Sequence, residues 1–203
     1  MNLADLAFVL NSRAHRSGRA LPSLLLLTDD RRGPDPLAAA RSLPRGAGVV
    51  LRSASGPVRE SLARALSIVC RRRGLFLIVS EDWRLAAEVG AHGLHLPERL
   101  ARVPPAARVW LSRGRLLTAA AHSPAALARA GRIGADAALL SPVFPTESHP
   151  GAAGIGRVRF AAWTRAAPVP VYALGGLREK TILGLVDSGA VGLATVGGLG
   201  FAP

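Results

Sequence analysis

The feature that most constrains this chain is a rhythm. Short, wholly apolar runs alternate with amphipathic stretches, and eight such runs can be counted. They are Leu24–Thr28, Ala47–Arg52 (AGVVLR), Leu75–Ser80 (LFLIVS), Gly93–Leu96 (GLHL), Arg115–Ala120 (RLLTAA), Ala137–Val143, Val169–Leu174 and Val191–Val196. None alternates apolar with polar residues. Strands buried on both faces read this way, so the sheet they build is parallel. Between them the spacing predicts helices. Pro36–Arg41 opens on a proline, and Val58–Arg73 carries Val58, Leu62, Leu66 and Val69 before Gly74 stops it. Further helices are predicted over Asp82–Val89, Ser123–Arg132, Arg157–Ala167 and Arg178–Ser188, with Ser123 as N-cap and Pro124 in the first turn. Pro104 and Pro105 break the segment after the fourth run. Eight strand–helix units point to a closed (β/α)8 TIM barrel, α/β in class, with a curtailed final helix, because the chain ends at Pro203. An open doubly wound sheet would need fewer strands, and no G-x-G-x-x-G turn follows the first run.

Length supports one domain over residues 1–203, with residues 1–22 as an N-terminal capping segment. Within it, Leu3–Leu10 would cap the barrel floor or cover the gap left by the short last helix. Hydrophobic residues make up 49%, which suits a packed core and excludes a disordered chain. Cys70 is the only cysteine, so an internal disulfide and a cysteine-based metal cluster are excluded. The Leu24–Leu27 run is too short for a membrane span, and it meets Thr28-Asp29-Asp30 rather than a small-residue cleavage site. A cytoplasmic protein with no membrane partner is the expectation. The net charge of +13 invites a nucleic-acid reading, but the arginines are scattered. The one tight run, Arg71-Arg72-Arg73, falls at a helix end where cations suit the dipole. No nucleic-acid partner is expected, although a basic surface attracts small anions.

In such a barrel the chemistry sits where strands end. Arg52 follows the second strand, where its planar fork would hold a phosphate or carboxylate; the alternative is one surface arginine among many. Gly175-Gly176 and Gly197-Gly198 follow strands seven and eight. Either pair alone reads as a tight turn. Both together, at matching ends of adjacent strands, read as backbone amides cradling a phosphate. His122, after strand five, is the candidate acid–base residue, because histidine titrates near neutrality. Its alternative role is a local hydrogen bond before the Ser123 cap. His95 reads as packed within its strand, and His92 as a surface residue. Thr146, Ser148 and His149 add polar groups after strand six. Asp29, Asp30, Glu81 and Asp82 could gather around a Mg²⁺ ion, with Glu81 the candidate, but Asp82 reads better as a helix N-cap, Asp29 and Asp30 read equally as a turn, and since spacing alone shows no convergence, metal binding is the lesser reading. From the residues alone, no cofactor is expected.

The segments LLLLTDD (24–30), VVLR (49–52), EVGAHGLHLP (88–97), AHSPAALARA (121–130), SPVFPT (141–146), YALGGL (172–177) and GLATVGGL (192–199) resemble the thiamine phosphate synthase and TenI family across nearly the whole chain. The resemblance implies a (β/α)8 barrel of thiamine biosynthesis acting on a small-molecule phosphate ester. One branch, the synthase, joins an aminopyrimidine diphosphate to a thiazole phosphate with Mg²⁺ and releases diphosphate. The TenI branch binds the thiazole phosphate, and some members tautomerise it without a metal. Members often self-associate, so a homo-oligomer is possible.

The departures from the synthase pattern are informative. Its Q-x-R-x-K reads Val50-Leu51-Arg52-Ser53-Ala54 here, so only the arginine remains. Its Asn-Asp after strand three is Ser80-Glu81, and its G-Q-E-D aligns with Pro97-Glu98-Arg99-Leu100. Its serine before the histidine aligns with Ala120, and the lysine of its T-P-T-K has become His149. A departing diphosphate needs its charge stabilised, and most of the groups that would do so are gone. Gly175, Gly176, Gly197 and Gly198 remain where the monophosphate would sit, with Thr146 and Ser148 as further phosphate-binding candidates, although the serine often found after strand eight aligns with Gly197. The resemblance therefore points to a TenI-like thiazole tautomerase using His122. An altered synthase, or a non-catalytic thiazole or thiamine phosphate binding protein, is the alternative.

Overall fold

Eight parallel strands pair in chain order and the first closes onto the last. The computed structural model describes residues 5, 7–10, 20–29, 35–52, 56–100, 102–146 and 153–196. The strands are β1 (Leu24–Leu27), β2 (Gly48–Leu51), β3 (Phe76–Ser80), β4 (Gly93–Leu96), β5 (Leu116–Ala121), β6 (Ala137–Leu140), β7 (Val171–Leu174) and β8 (Gly192–Val196). The helices are α1 (Pro36–Ser42), α2 (Gly56–Arg73), α3 (Trp83–Glu88), α4 (Pro105–Leu111), α5 (Pro124–Arg132), α6 (Arg157–Ala166) and α7 (Glu179–Ile182). This is the barrel the apolar rhythm predicts. The stretch after β8, where a curtailed last helix was expected, lies outside the described residues.

Leucines at 24–27 are all buried because neighbours along a strand point to opposite sides. Leu25 and Leu27 join Val50, Ile78, Leu139, Tyr172 and Ala194 inside the barrel. Leu24 and Leu26 face outward into the larger layer between strands and helices. Each such leucine contributes roughly 1.5–3 kcal/mol of burial. Ala7 and Leu10, from the N-terminal segment, are buried in that outer layer too.

The seam between β8 and β1 is close. A Cβ on Gly192 would stand 2.2 Å from the Ser23 carbonyl oxygen, so only glycine fits there. That carbonyl accepts from Leu193 N–H at 3.0 Å. Beside it the buried Tyr172 hydroxyl donates to the Pro22 carbonyl at 2.5 Å, tying β7 to the entry of β1.

Two segments differ from expectation. Pro104 and Pro105 do not merely break the chain: α4 begins at Pro105, where the missing N–H is one no helix would have paired anyway. The helix expected over Arg178–Ser188 is instead the single turn α7, followed by a 3₁₀ turn at Leu183–Leu185. Asp82 and Ser123 cap α3 and α5 as the sequence predicts, accepting from Leu85 and Ala126 N–H respectively. Arg71, Arg72 and Arg73 lie in the last turn of α2, where their charge meets the exposed carbonyl end. Cys70 is buried in the same helix, and burial pushes its thiol up to about 12, so it offers no thiolate. Among the described residues no helix is long and apolar enough to cross a membrane.

Candidate functional site

His122 follows β5 directly, at the barrel face where strands end. Its backbone N–H donates to Glu98 Oε2 at 2.9 Å, and Arg129 on α5 holds Glu98 Oε1 at 2.6 Å. These contacts pin the loop after β5 to the loop after β4. The exposed imidazole turns its Nδ1 toward the next loop, 2.9 Å from the Ser141 carbonyl oxygen and 3.2 Å from Ser141 Oγ. A carbonyl oxygen only accepts, so Nδ1 carries a proton. The second ring nitrogen, Nε2, is then the one able to take up a proton and return it.

Ser141 opens the loop that the sequence reads as SPVFPT. That loop packs on the turn after β7. Val143 N–H donates to Leu174 O at 2.9 Å, and Phe144 N–H to Gly175 O at 3.1 Å. Gly175 and Gly176 have φ of +93° and +65°, a left-handed backbone that glycine adopts freely. A Cβ on Gly176 would meet the carbonyl oxygens of Pro145 and Phe144 at 2.5 and 2.6 Å. The turn explanation for this pair is therefore sufficient in itself. The backbone also presents donors: among the described residues, the N–H groups of Gly176 and Leu177 meet no acceptor. One chain of contacts thus joins His122, the loop that reaches Thr146, and Gly175-Gly176. Ser148, His149, Gly197, Gly198 and Asp30 lie outside the described residues.

Arg52 stands at the end of β2 on another part of the rim. Its backbone N–H donates to Thr28 Oγ1 at 3.0 Å, and its guanidinium holds Asp29 at 2.8 Å. Arg59 donates to the carbonyls of Arg52 and Ser80, tying the ends of β2 and β3 together. Glu81 follows β3 and pairs with Arg99. Asp82 spends one carboxylate oxygen on two N–H groups of α3, both at 3.0 Å.

Among the described carboxylates, none of the Mg²⁺ candidates stands clear of a protein partner. Asp29, Glu81 and Glu98 each face a guanidinium, and Asp82 caps a helix. Among the described residues no three histidine, cysteine, aspartate or glutamate side chains converge as metal ligands would.

Beneath the rim lies a polar layer inside the barrel. Ser80, His95 and Thr118 face one another on β3, β4 and β5, all buried. His95 Nδ1 sits 3.0 Å from Thr118 Oγ1. Burial first, and the charge of Arg52 second, lower its pKa from 6.5 to about 4. Between those values the unfolded chain binds a proton that the folded barrel refuses. Stability is therefore full above pH 6.5 and falls as pH drops toward 4, by roughly 3 kcal/mol for this group alone. Urea midpoints measured from pH 7 to 4 should fall more steeply for the wild type than for His95→Gln.

Sequence reasoning places His122, Arg52, Thr146, Gly175 and Gly176 on the rim, and the structure puts them there. His95 is packed and His92 exposed, as expected. It misses Ser141 as the partner of His122, and the Glu98–Arg129 brace behind it. The signal available for Glu98 was its position two residues past a strand end.

A family model described as "Thiamine monophosphate synthase" (TMP-TENI) matches residues 28–199. A thiamine-phosphate synthase of Thioalkalivibrio sulfidiphilus is 34% identical over 171 residues, covering 81% of this chain and 80% of its own. A putative thiamine-phosphate synthase of Geobacter sulfurreducens is 36% identical over 183 residues, covering 86% and 84%. Among solved structures, a thiamine phosphate pyrophosphorylase from Pyrococcus furiosus superposes with a TM-score of 0.70 at 22% identity, covering 85% of this chain and 84% of that one. That likeness concerns the fold.

Proposed function

This chain belongs to the thiamine monophosphate synthase family, and on that premise we propose that it binds a thiazole phosphate at the strand-end face and moves a proton on it through His122. The observation that carries this reading is the seating of the imidazole. Nδ1 is committed to the Ser141 carbonyl at 2.9 Å, which leaves Nε2 for the ligand. Proton transfer needs a group whose charge changes near neutral pH, in a fixed orientation, and no metal. The glycine turn after β7 supports the phosphate half, since its N–H groups are available to phosphoryl oxygens. Thr146 lies on the loop after β6 that packs against this turn, and Ser148, Gly197 and Gly198 complete the proposed cradle in sequence.

The steps for this chain's own residues are few. The N–H groups of the turn and the Thr146 hydroxyl anchor the phosphate. His122 Nε2 removes a ring proton, while Nδ1–H donates to Ser141 and steadies the imidazolium. The same nitrogen then returns the proton at a neighbouring atom. Arg52 supplies positive potential across the mouth.

A second reading, the synthase itself, is favoured by the names of the relatives at 34% and 36% identity. It requires a leaving diphosphate to be stabilised by Arg52 and His149 without the lysines of the usual pattern. Two assays on one preparation separate the readings. The first follows isotope exchange and tautomerisation of the thiazole phosphate in EDTA. The second follows diphosphate release from the aminopyrimidine diphosphate plus thiazole phosphate with Mg²⁺. Exchange without diphosphate release is expected; the opposite outcome makes the chain a synthase.

A further inference from the structure

We propose that the β3–β4 side of the mouth recognises an anion through the Arg99 guanidinium, which occupies Glu81, the carboxylate a Mg²⁺ ion would have to use, so that binding there needs no metal. The inference rests on the thiazole-phosphate reading only for which face the ligand occupies.

Three observations lead to it. First, the carboxylates on this side are not arranged for a cation. Glu81 Oε1 lies 2.5 Å from Arg99 Nη2, and Glu98 is committed to Arg129 and to the His122 N–H. A Mg²⁺ ion would have to displace a guanidinium from Glu81 before it could use that carboxylate.

Second, Glu81 is held in an unusual backbone state. Its φ is +68°, the one positive value among the described non-glycine residues, and its N–H donates to the His95 carbonyl at 2.8 Å. Strain of this kind persists only where surrounding structure enforces it, and it gathers at ligand-binding positions. The result is a carboxylate aimed at Arg99.

Third, the pair is open to solvent, with side chains 41% exposed for Glu81 and 64% for Arg99. An exposed ion pair adds little to fold stability. A guanidinium has five N–H donors in a planar fork, and the contact with Glu81 engages a single nitrogen. Donors therefore remain for phosphoryl oxygens while Glu81 fixes where the fork stands. With Glu81 beside it the pair is net neutral, so recognition here rests on the remaining N–H donors of the Arg99 fork rather than on net charge.

The test uses the whole protein and inorganic pyrophosphate, the anion the synthase branch releases, in calorimetric titrations. Wild type should bind pyrophosphate in EDTA. Arg99→Gln should bind at least tenfold more weakly, and Arg99→Lys should fall between them, since lysine keeps the charge and loses the fork. Urea midpoints of all three should coincide. The proposal is overturned by binding that appears only when Mg²⁺ is added, by equal affinity of wild type and Arg99→Gln, or by no binding in either condition. Pyrophosphate binding by a protein that shows no proton exchange on thiazole phosphate would remove the His122 reading and leave this one standing. Exchange activity combined with an inert Arg99 would do the reverse.

Discussion

Replacing His122 by alanine is expected to lower thiazole phosphate exchange by roughly 10²- to 10⁴-fold in kcat, the usual contribution of a positioned acid–base group. The loss should fall on kcat, with KM little changed, because the phosphate anchor lies on a different loop. Asparagine is the sharper substitution. His122→Asn keeps an amide donor of similar reach toward the Ser141 carbonyl but has no group that titrates near neutrality. It should be as inactive as alanine while holding the loop in place. A His122→Asn variant within threefold of wild type would reduce the histidine to a loop fastener.

The second large effect is expected at Gly176. Gly176→Ala brings two penalties at once. A left-handed backbone in alanine costs roughly 1 kcal/mol. Its Cβ would also stand 2.5 and 2.6 Å from two backbone oxygens of the loop after β6, which cannot rotate away as a side chain would. Together these should destabilise the fold by about 3 kcal/mol. Gly90→Ala is the matched control. Gly90 has the same φ of +65°, yet a Cβ there meets nothing within 4 Å. It should lose only the conformational part, so the difference between the two variants in urea unfolding isolates the contact. The displaced loop begins at Ser141, which holds the His122 imidazole. Thiazole phosphate affinity and exchange rate should therefore fall together in Gly176→Ala and stay at wild type in Gly90→Ala. Equal destabilisation of the two variants would mean that the loop yields freely.

The barrel was legible because its signal is local and repeated. Each wholly apolar run must be buried on both faces, and eight of them in alternation with helices leave little choice of architecture. Caps such as Asp82 and Ser123 are local too, and both are where the residue types place them. Proline was harder to read. Pro104-Pro105 reads as a break, yet the same ring chemistry suits the first turn of a helix, and tertiary context decides between them. The site was only half legible. Strand ends mark Arg52, His122 and the glycine pair, since the fold puts such positions on the rim. What those residues touch was hidden. Glu81 meets Arg99 18 positions away, Glu98 meets Arg129 31 away, and His122 meets Ser141 19 away. Pairs between neighbouring loops have no period in the sequence. Charge alone could not show which arginine each acid would find.

Closure in chain order also shapes how the molecule comes into being. Leu24 pairs with Leu193 and Leu27 with Val196, so the opening strand must wait for nearly the whole polypeptide before its second edge is satisfied. During synthesis that edge is an unfilled row of amides and carbonyls, liable to pair with a neighbouring nascent chain. Contacts between such distant positions slow the search for the native state. The arrival of β8 from the ribosome is thus the event that turns an open, adhesive sheet into a closed barrel.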